Sequence, residues 1–168
     1  MKIYFLGTNG WYTTTTGNTP CVLIDSKEGY IIFDAGNGIY QIDKYVKEKK
    51  PICLFISHFH LDHVSGVHTF SKFKFPQGID IYIAKGRQAD FDTLVSPPYT
   101  PKPAVRIHEL PEGENDLGFK VEVFKMRHAY ENHGFRVFLE DKIVSYSGDT
   151  GICENSKTLA QDADILIH

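Results

Sequence analysis

The sequence predicts an α+β fold in which two β-sheets face each other and helices cover their outer sides. Three observations favour this class. Many short apolar or alternating runs indicate strands, glycines such as Gly29, Gly78, Gly118 and Gly134 separate them, and fewer helix-compatible segments are interspersed. Because each sheet has an apolar face to cover, this many strands favour two sheets packed on each other with helices outside.

Ten segments are predicted as β-strands because they are short, apolar or alternating, and bounded by turn residues. Glu140-Asp141-Lys142 has the composition of a tight hairpin connection. The predicted strands are Ile3–Leu6, Cys21–Ile24, Tyr30–Phe33, Ile52–Ile56, Ile79–Ile83, Val105–Ile107, Phe119–Phe124, Phe135–Leu139, Ile143–Tyr146 and Ile165–Ile167.

Four segments are predicted as helices. The first is expected to stop before Pro51, which cannot continue a helix. The predicted helices are Ile39–Lys49, Val64–Lys72, Gln88–Leu94 and Ser156–Gln161.

Composition indicates a globular protein and excludes several classes of partner. With 168 residues, 42% of them hydrophobic, the chain is long enough for one domain with a core. Its formal net charge of −3 offers no overall attraction to nucleic acid or to an anionic membrane, so a polyanionic substrate needs a local positive site. The N-terminal run Ile3–Leu6 is too short for a signal peptide or a membrane span, which predicts a cytoplasmic protein with no membrane partner.

A cluster of metal-binding residue types occupies the segment Ser57-His58-Phe59-His60-Leu61-Asp62-His63. It follows the predicted strand Ile52–Ile56, and open α/β sheets bind their ligands at strand ends. Imidazole nitrogens and carboxylate oxygens suit Zn²⁺, with Mn²⁺ or Fe²⁺ as alternatives. The crowding predicts two divalent ions rather than one. The alternative is a polar loop whose histidines have ordinary hydrogen-bond partners.

The pattern His-x-His-x-Asp-His at 58–63 resembles the signature of the metallo-β-lactamase fold, a superfamily of metal-dependent hydrolases. Phe33–Gly36 upstream, and His128 and Ser147–Thr150 downstream, occur in the order expected for that superfamily. The segments 6–10 and 128–136 are similar to its ribonuclease Z-like and small phosphodiesterase branch. The resemblance spans essentially the whole chain. It implies a four-layer αββα sandwich with two mixed sheets, and residues 1–168 as a single metallo-β-lactamase-like domain.

The resemblance also implies six metal ligands around two ions. Asp149 would bridge both ions, because a carboxylate has two oxygens and can hold ions about 3.5–4 Å apart. Asp62 would in addition be catalytic, receiving the proton of the attacking water and passing it to the leaving group. Asp34 would orient a ligand histidine from behind. The first ion takes His58, His60 and His128, and the second takes Asp62 and His63.

Simpler roles are open for three of these residues. Asp149 and Asp34 could each brace a turn, and His128 could be an ordinary histidine at a strand end.

Substrate contacts are predicted for His133, Arg136 and Tyr99. Tyr99 lies in the proline-rich segment 97–103, which forms either a wall over the substrate cleft or a plain surface connection. In ribonuclease Z proper the interval between the metal motif and the position of His128 carries a long flexible arm that grips transfer RNA; no comparable insertion is present here, which disfavours a transfer-RNA substrate. Further aromatic residues could stack on a base or pack internally; these are Trp11, Tyr12 and Tyr130.

The sequence stops inside an apolar run, at Asp164-Ile165-Leu166-Ile167-His168. Superfamily members continue past this motif to a last histidine that binds the second metal ion, so we expect a C-terminally truncated piece of a longer chain. His168 does not correspond to that ligand. The second ion is then expected to be under-coordinated, weakly held, or completed by water or by a neighbouring subunit, which leaves a homodimer open.

The sequence therefore predicts an enzyme, a binuclear zinc-type hydrolase that activates water to cleave a phosphodiester in a nucleic acid or a small molecule. Two alternatives are open. One is a hydrolase of another ester, a thioester or a lactam in the same fold. The other is a non-catalytic metal-binding module with an incomplete second metal site.

Overall fold

Two β-sheets face each other in the computed structural model of the chain, which describes residues 1–98 and 100–168. The first sheet has six strands in sequential order. Its first three strands pair antiparallel, and the pairs from the third strand onward are parallel. The strands are β1 (Lys2–Gly7), β2 (Cys21–Asp25), β3 (Tyr30–Phe33), β4 (Ile52–Phe55), β5 (Asp80–Ala84) and β6 (Arg106–Leu110).

The second sheet has five strands in the order β11-β10-β9-β8-β7 and is mixed as well, because β10 and β11 pair in parallel. The predicted hairpin joins β9 to β10: Glu140 and Asp141 both have positive φ angles, 49° and 60°, as a two-residue hairpin turn requires. The strands are β7 (Gly113–Asp116), β8 (Lys120–Met126), β9 (Asn132–Leu139), β10 (Lys142–Tyr146) and β11 (Ile165–Ile167).

Alternate residues of the central strands face opposite layers. Phe33 and Phe55 lie between the two sheets, where Phe33 stacks on Tyr146 with ring centroids 4.9 Å apart. Ile32 and Leu54 point the other way, into a second core beneath the helical segments of the first sheet. Since period-2 alternation gives each strand two faces, one sheet can contribute to both cores.

Helical segments cover both outer sides of the sandwich. A helix near the C-terminus packs on β8, β9 and β10, and the other segments lie on the first sheet or at its edge. These layers confirm the predicted α+β fold, a four-layer αββα sandwich of two mixed sheets. The segments are a 3₁₀ helix at Asn37–Lys44, α1 (Leu61–Val64), a second 3₁₀ helix at Ser65–Lys72, α2 (Gln88–Leu94) and α3 (Glu154–Ala160).

The first helix is shorter than predicted and has 3₁₀ geometry. It ends at Lys44 rather than at residue 49. The backbone amides of Lys47 and Glu48 both donate to the hydroxyl of Tyr30, each at 3.1 Å, so a tertiary contact replaces the last helical turn. Strand β7 was not predicted, because Gly113-Glu114-Asn115-Asp116 has no apolar residue to indicate a strand.

Within the described part of the chain, no helix has the length and the apolar character that crossing a bilayer requires.

Candidate metal centre

The candidate centre lies where β3 and β4 end, at one edge of the first sheet. Because these strands are parallel, their carboxyl ends open at the same edge. β3 leads directly into Asp34, and β4 is followed by Ser57 and His58. The chain then turns into α1, which places Asp62 in its first turn. Two loops of the second sheet complete the centre, one between β8 and β9 with His128 and one after β10 with Asp149.

The first donor group consists of three imidazoles and a carboxylate, from His58, His60, His128 and Asp149. One ligand atom of each lies within 4.8 Å of all the others. Nε2 of His128 is 3.2 Å from Nδ1 of His60, and the ring centroids of His58 and His60 are 4.5 Å apart. Four nitrogen and oxygen donors converging on one small volume are the set that a zinc-type ion takes.

His58 is the most buried member of this group. It is 2% exposed, and its Nε2 has no hydrogen-bond partner among the described residues. Burial, aided by the positive charge of His63, lowers the pKa of His58 to about 4, so the ring is neutral at physiological pH. A neutral, buried imidazole nitrogen without a hydrogen bond fits a metal ligand. Burial removes its hydrogen bond to water, and a bound cation would provide the missing partner.

The second donor group consists of Asp62, His63 and Asp149, again with ligand atoms within 4.8 Å of one another. Nε2 of His63 lies 3.3 Å from Oδ1 of Asp149 and 3.7 Å from Oδ2 of Asp62. Like that of His58, this nitrogen is buried and without a hydrogen-bond partner in the described residues. Asp149 belongs to both groups, so the two clusters share one carboxylate.

The charges of this second group compensate one another. Burial alone would lower the pKa of His63, but the carboxylates of Asp34 and Asp149 outweigh burial and raise that pKa to about 10. The close contact with the imidazolium of His63 in turn lowers the pKa of Asp149 to about 2. Without a metal, His63 is therefore an imidazolium between carboxylates. A metal ion at Nε2 would take the place of that proton.

Asp34 anchors the centre from behind. This fully buried carboxylate accepts hydrogen bonds from the backbone amide of Ser57 at 2.7 Å, from Nδ1 of His63 at 2.6 Å and from the hydroxyl of Tyr146 at 2.5 Å. The hydroxyl of Ser57 also donates to it at 2.8 Å and lies 3.0 Å from Nδ1 of His58. Since Asp34 holds Nδ1 of His63, Nε2 is the nitrogen that faces the donor group.

Asp149 is positioned through its backbone. Gly148 has a φ of 56°, and a Cβ there would lie 2.9 Å from the Cβ of Ser57, so a glycine is required by both conformation and space. The amide group of Asn132 donates to the carbonyls of Ser147 at 3.3 Å and of Asp149 at 2.7 Å. These contacts hold the turn after β10 against the start of β9.

A loop near the N-terminus also contacts the centre. The backbone amide of Trp11 donates to Oδ2 of Asp62 at 2.7 Å. Trp11, Asp62 and Asp149 line a cleft of about 640 Å³. A second cleft of about 250 Å³ is lined by His58, His60, Tyr130 and the ion-paired side chains of Arg87 and Glu131.

Comparison with known proteins identifies the family. Residues 14–160 match the family described as the metallo-beta-lactamase superfamily. The chain belongs to this superfamily. The match includes both donor groups, since all of their residues lie within it.

Relatives of this superfamily member include proteins named ribonuclease Z. That of Thermococcus kodakarensis is 25% identical over 225 aligned positions, covering 100% of this chain and 72% of the relative. That of Haloarcula marismortui is 27% identical, covering 84% of this chain and 49% of its own length. In three dimensions, human tRNase Z (short form) has a TM-score of 0.78 at 24% identity, covering 100% of this chain and 77% of the human one. The chain thus spans between half and about three quarters of these proteins.

The structure of this metallo-beta-lactamase-superfamily chain brings all six predicted ligands together, and it divides them between two groups in the predicted way. That they bind metal stays a prediction. Asp34 lies behind the ligands, against His63, as expected. The remaining predictions concern contacts with a substrate.

Arg136 points away from the centre. On β9 its neighbours Phe135 and Val137 face the interior between the sheets, so Arg136 faces outward, where Nη1 donates to the carbonyl of Thr158 in α3 at 3.1 Å. His133 is only 3% exposed and lines neither cleft, and its contact with a substrate stays a prediction. Tyr99 is outside the described residues.

Several residues of the centre were not predicted. Ser57 adjoins the metal motif, and its position before His58 is the signal that could have identified it. Tyr146 and Asn132 had no such signal, because Tyr146 meets Asp34 across 112 positions of sequence and Asn132 acts on backbone carbonyls.

Proposed function

We propose that this protein is a metal-dependent hydrolase that binds two divalent cations and cleaves a phosphodiester. The observation that carries the proposal is the pair of donor groups sharing Asp149, each with a buried histidine nitrogen that lacks a partner among the described residues. Two polar atoms without partners at one spot are rare in folded proteins unless a ligand satisfies them.

The donor chemistry supports zinc in the first group. Three imidazoles with a carboxylate favour Zn²⁺, whereas the carboxylate-richer second group also suits Mn²⁺ or Fe²⁺. When bound, a pair of such ions lowers the pKa of a water molecule towards neutrality and offsets negative charge that develops on phosphoryl oxygens.

Asp62 is the residue that we assign to proton transfer. Its side chain is 12% exposed and lines the larger cleft, so it meets the space where a substrate would lie. The amide of Trp11 holds Oδ2, which fixes the orientation of the carboxylate. A carboxylate fixed in this way accepts the proton of the attacking water and returns it to the leaving group.

The anchoring residues keep the other donors in place. Asp34 fixes the ring of His63 directly, and Ser57 connects the same carboxylate to His58. One buried carboxylate therefore orients a histidine of each donor group, which supports a centre built for two ions rather than one.

A phosphodiester substrate is supported by the names of the relatives. The curated relatives include proteins named ribonuclease Z and ribonuclease BN, the latter 31% identical in Citrobacter koseri. The net charge of −3 gives the chain no overall attraction to a polyanion, so the two cations would supply the local positive charge that such a substrate needs.

Turnover of defined substrates tests the proposal. The zinc-loaded protein is assayed with bis-p-nitrophenyl phosphate, a cyclic nucleotide diester, an RNA oligonucleotide and a thioester, before and after chelation. We expect hydrolysis of at least one phosphodiester, its loss with the chelator and its return with zinc. Thioester turnover alone would move the protein to another hydrolase class, and no turnover with both groups loaded would favour a non-catalytic module.

A further inference from the structure

A solvent-exposed tryptophan stands beside the candidate metal centre. Trp11 is the only tryptophan of the chain, and it is 85% exposed. It lines the larger cleft together with Leu61, which is itself 68% exposed, and with the donors Asp62 and Asp149. Large apolar side chains grouped at the surface mark binding sites more often than isolated ones do.

The loop that carries this side chain is well braced. The side-chain amide of Asn9 donates to the hydroxyl of Thr14 at 2.9 Å, closing the loop on itself. Asn37 donates to the hydroxyl of Thr13 at 2.8 Å and ties the loop to the 3₁₀ helix over the first sheet. The indole of Trp11 is therefore presented to solvent by a fixed backbone.

The backbone of Trp11 has an unusual conformation, which directs its amide towards Asp62 and leaves its ring exposed. Its φ of 70° lies in the left-handed region, which large side chains seldom adopt. In this conformation the amide points at Asp62, with nitrogen and Oδ2 2.7 Å apart, while the ring lies against solvent. The residue whose backbone amide binds Asp62 therefore also carries the exposed indole.

We propose that the ring of Trp11 is the stacking surface for a nucleobase adjacent to the scissile phosphodiester. The inference rests on the proposed function and specifies its substrate class as a base-bearing diester. The donors Asp62 and Asp149 mark the end of the cleft where the phosphoryl group lies, and Trp11 and Leu61 provide flat and apolar walls next to it. Aromatic side chains stack on any base, and a cleft of about 640 Å³ accommodates a nucleotide.

Fluorescence of this single tryptophan tests the proposal directly, because the whole indole signal comes from Trp11. The zinc-loaded chain is titrated with adenosine 5′-monophosphate and, separately, with ribose 5-phosphate, which has the same phosphate and sugar but no base. We expect saturable quenching by the nucleotide and none by the sugar phosphate. Absence of quenching by the nucleotide, or equal quenching by both probes, would overturn the proposal.

A pair of variants separates the ring from the backbone. Trp11→Gly removes the indole but tolerates the positive φ and keeps the amide that Asp62 accepts from. By calorimetry we expect it to bind adenosine 5′-monophosphate about 5- to 150-fold more weakly than the unchanged chain does, with ribose 5-phosphate binding unaltered. Tyr12→Leu is the matched control, because Tyr12 is 64% exposed on the same loop but does not line the cleft. Equal nucleotide affinity in Trp11→Gly and the unchanged chain would refute stacking.

Failure of this proposal can be told apart from failure of the proposed function. A protein that hydrolyses bis-p-nitrophenyl phosphate, but whose indole is not quenched by the nucleotide, contradicts the stacking role alone. A protein whose indole is quenched saturably, but which hydrolyses no phosphodiester, contradicts the proposed function and leaves the base site standing.

Discussion

The same residue types form two different clusters in this molecule. At the candidate metal centre, His58 and His63 are buried and their Nε2 atoms lack partners among the described residues. On the first sheet, Asp80 of β5 contacts Arg106 and His108 of β6, and these side chains are hydrogen-bond partners of one another. Nε2 of His108 is 2.8 Å from Oδ1 of Asp80, and Nη2 of Arg106 is 2.6 Å from Oδ2.

The contrast teaches what distinguishes a functional cluster from a structural one. Arg106 and His108 have side chains 54% and 43% exposed, so water competes with their contacts to Asp80, and the pairing of Arg106 with Asp80 is an ordinary surface ion pair. In the centre, several donors converge on one small volume, and the Nε2 atoms of His58 and His63 have no hydrogen-bond partner among the described residues. Convergence, burial and unsatisfied nitrogens together, rather than the presence of histidine and aspartate, indicate a site for a cation.

The largest difference between the clusters is expected in turnover. Asp62→Asn keeps the shape of the side chain but removes its ability to accept a proton, so phosphodiester turnover should fall at least about 100-fold. The same substitution at Asp80 should leave turnover within twofold or so of the unchanged chain, because Asp80 lies in neither cleft. Steady-state kinetics on the zinc-loaded variants checks both. Near-normal activity of Asp62→Asn would contradict the role of Asp62 in proton transfer.

Metal content should separate the two clusters next. His60→Ala removes one of the four donors of the first group and should lower the bound zinc by about one equivalent per chain. His108→Ala is the matched control and should bind as much zinc as the unchanged chain, since His108 belongs to neither group. Elemental analysis after dialysis measures the zinc content of both variants. Equal zinc content would contradict the claim that His60, unlike His108, is a metal ligand.

Anchoring from behind should have a smaller effect. Ser57→Ala removes the hydroxyl between Asp34 and His58 but leaves every donor in place, so zinc affinity should fall by about 10- to 100-fold. Competition with a chromophoric chelator measures this. Thermal unfolding of the same variant identifies a general loss of structure, and an unchanged zinc affinity in a folded variant would contradict the anchoring role.

The smallest effect is expected on the surface cluster itself. The hydrogen bond from Arg106, helped by that from His108, lowers the pKa of Asp80. A lowered folded-state pKa stabilises the protein above the unfolded value, about 3.9, and this stabilisation is lost as the pH falls through the folded-state value. Asp80→Asn should therefore cost about 0–1 kcal/mol at pH 7, and this cost should shrink as the pH falls through the folded-state pKa of Asp80. Urea unfolding from neutral to acidic pH checks this; a cost that does not change with pH would contradict the ion-pair account.

Local sequence patterns predicted the strands and turns whose structure is determined by their own residues. The strands β3 and β4 are continuous apolar runs buried on both faces, and the hairpin at Glu140 and Asp141 has the composition of its turn. The metal motif was recognisable because its residues crowd one strand end. Strand β7 could not be predicted, because its pairing with β8, rather than its own composition, makes it a strand.

Residues that act across long sequence distances were beyond such patterns. Tyr146 reaches Asp34 only after the second sheet packs on the first. The early end of the first helix depends on the hydroxyl of Tyr30. Arg136 is different, because alternation along β9 between Phe135 and Val137 already indicated that it faces outward. There the sequence contained the signal for an outward direction, while the substrate contact of Arg136 stays a prediction.

Metal content per chain of the protein purified without added metal tests the central claim most directly. Elemental analysis for zinc, manganese and iron, combined with the intact mass, gives the number of ions held by the two donor groups. The shared carboxylate of Asp149 and the unsatisfied nitrogens of His58 and His63 predict a value near two. One equivalent or none, persisting after incubation with zinc, would contradict a binuclear centre in this chain.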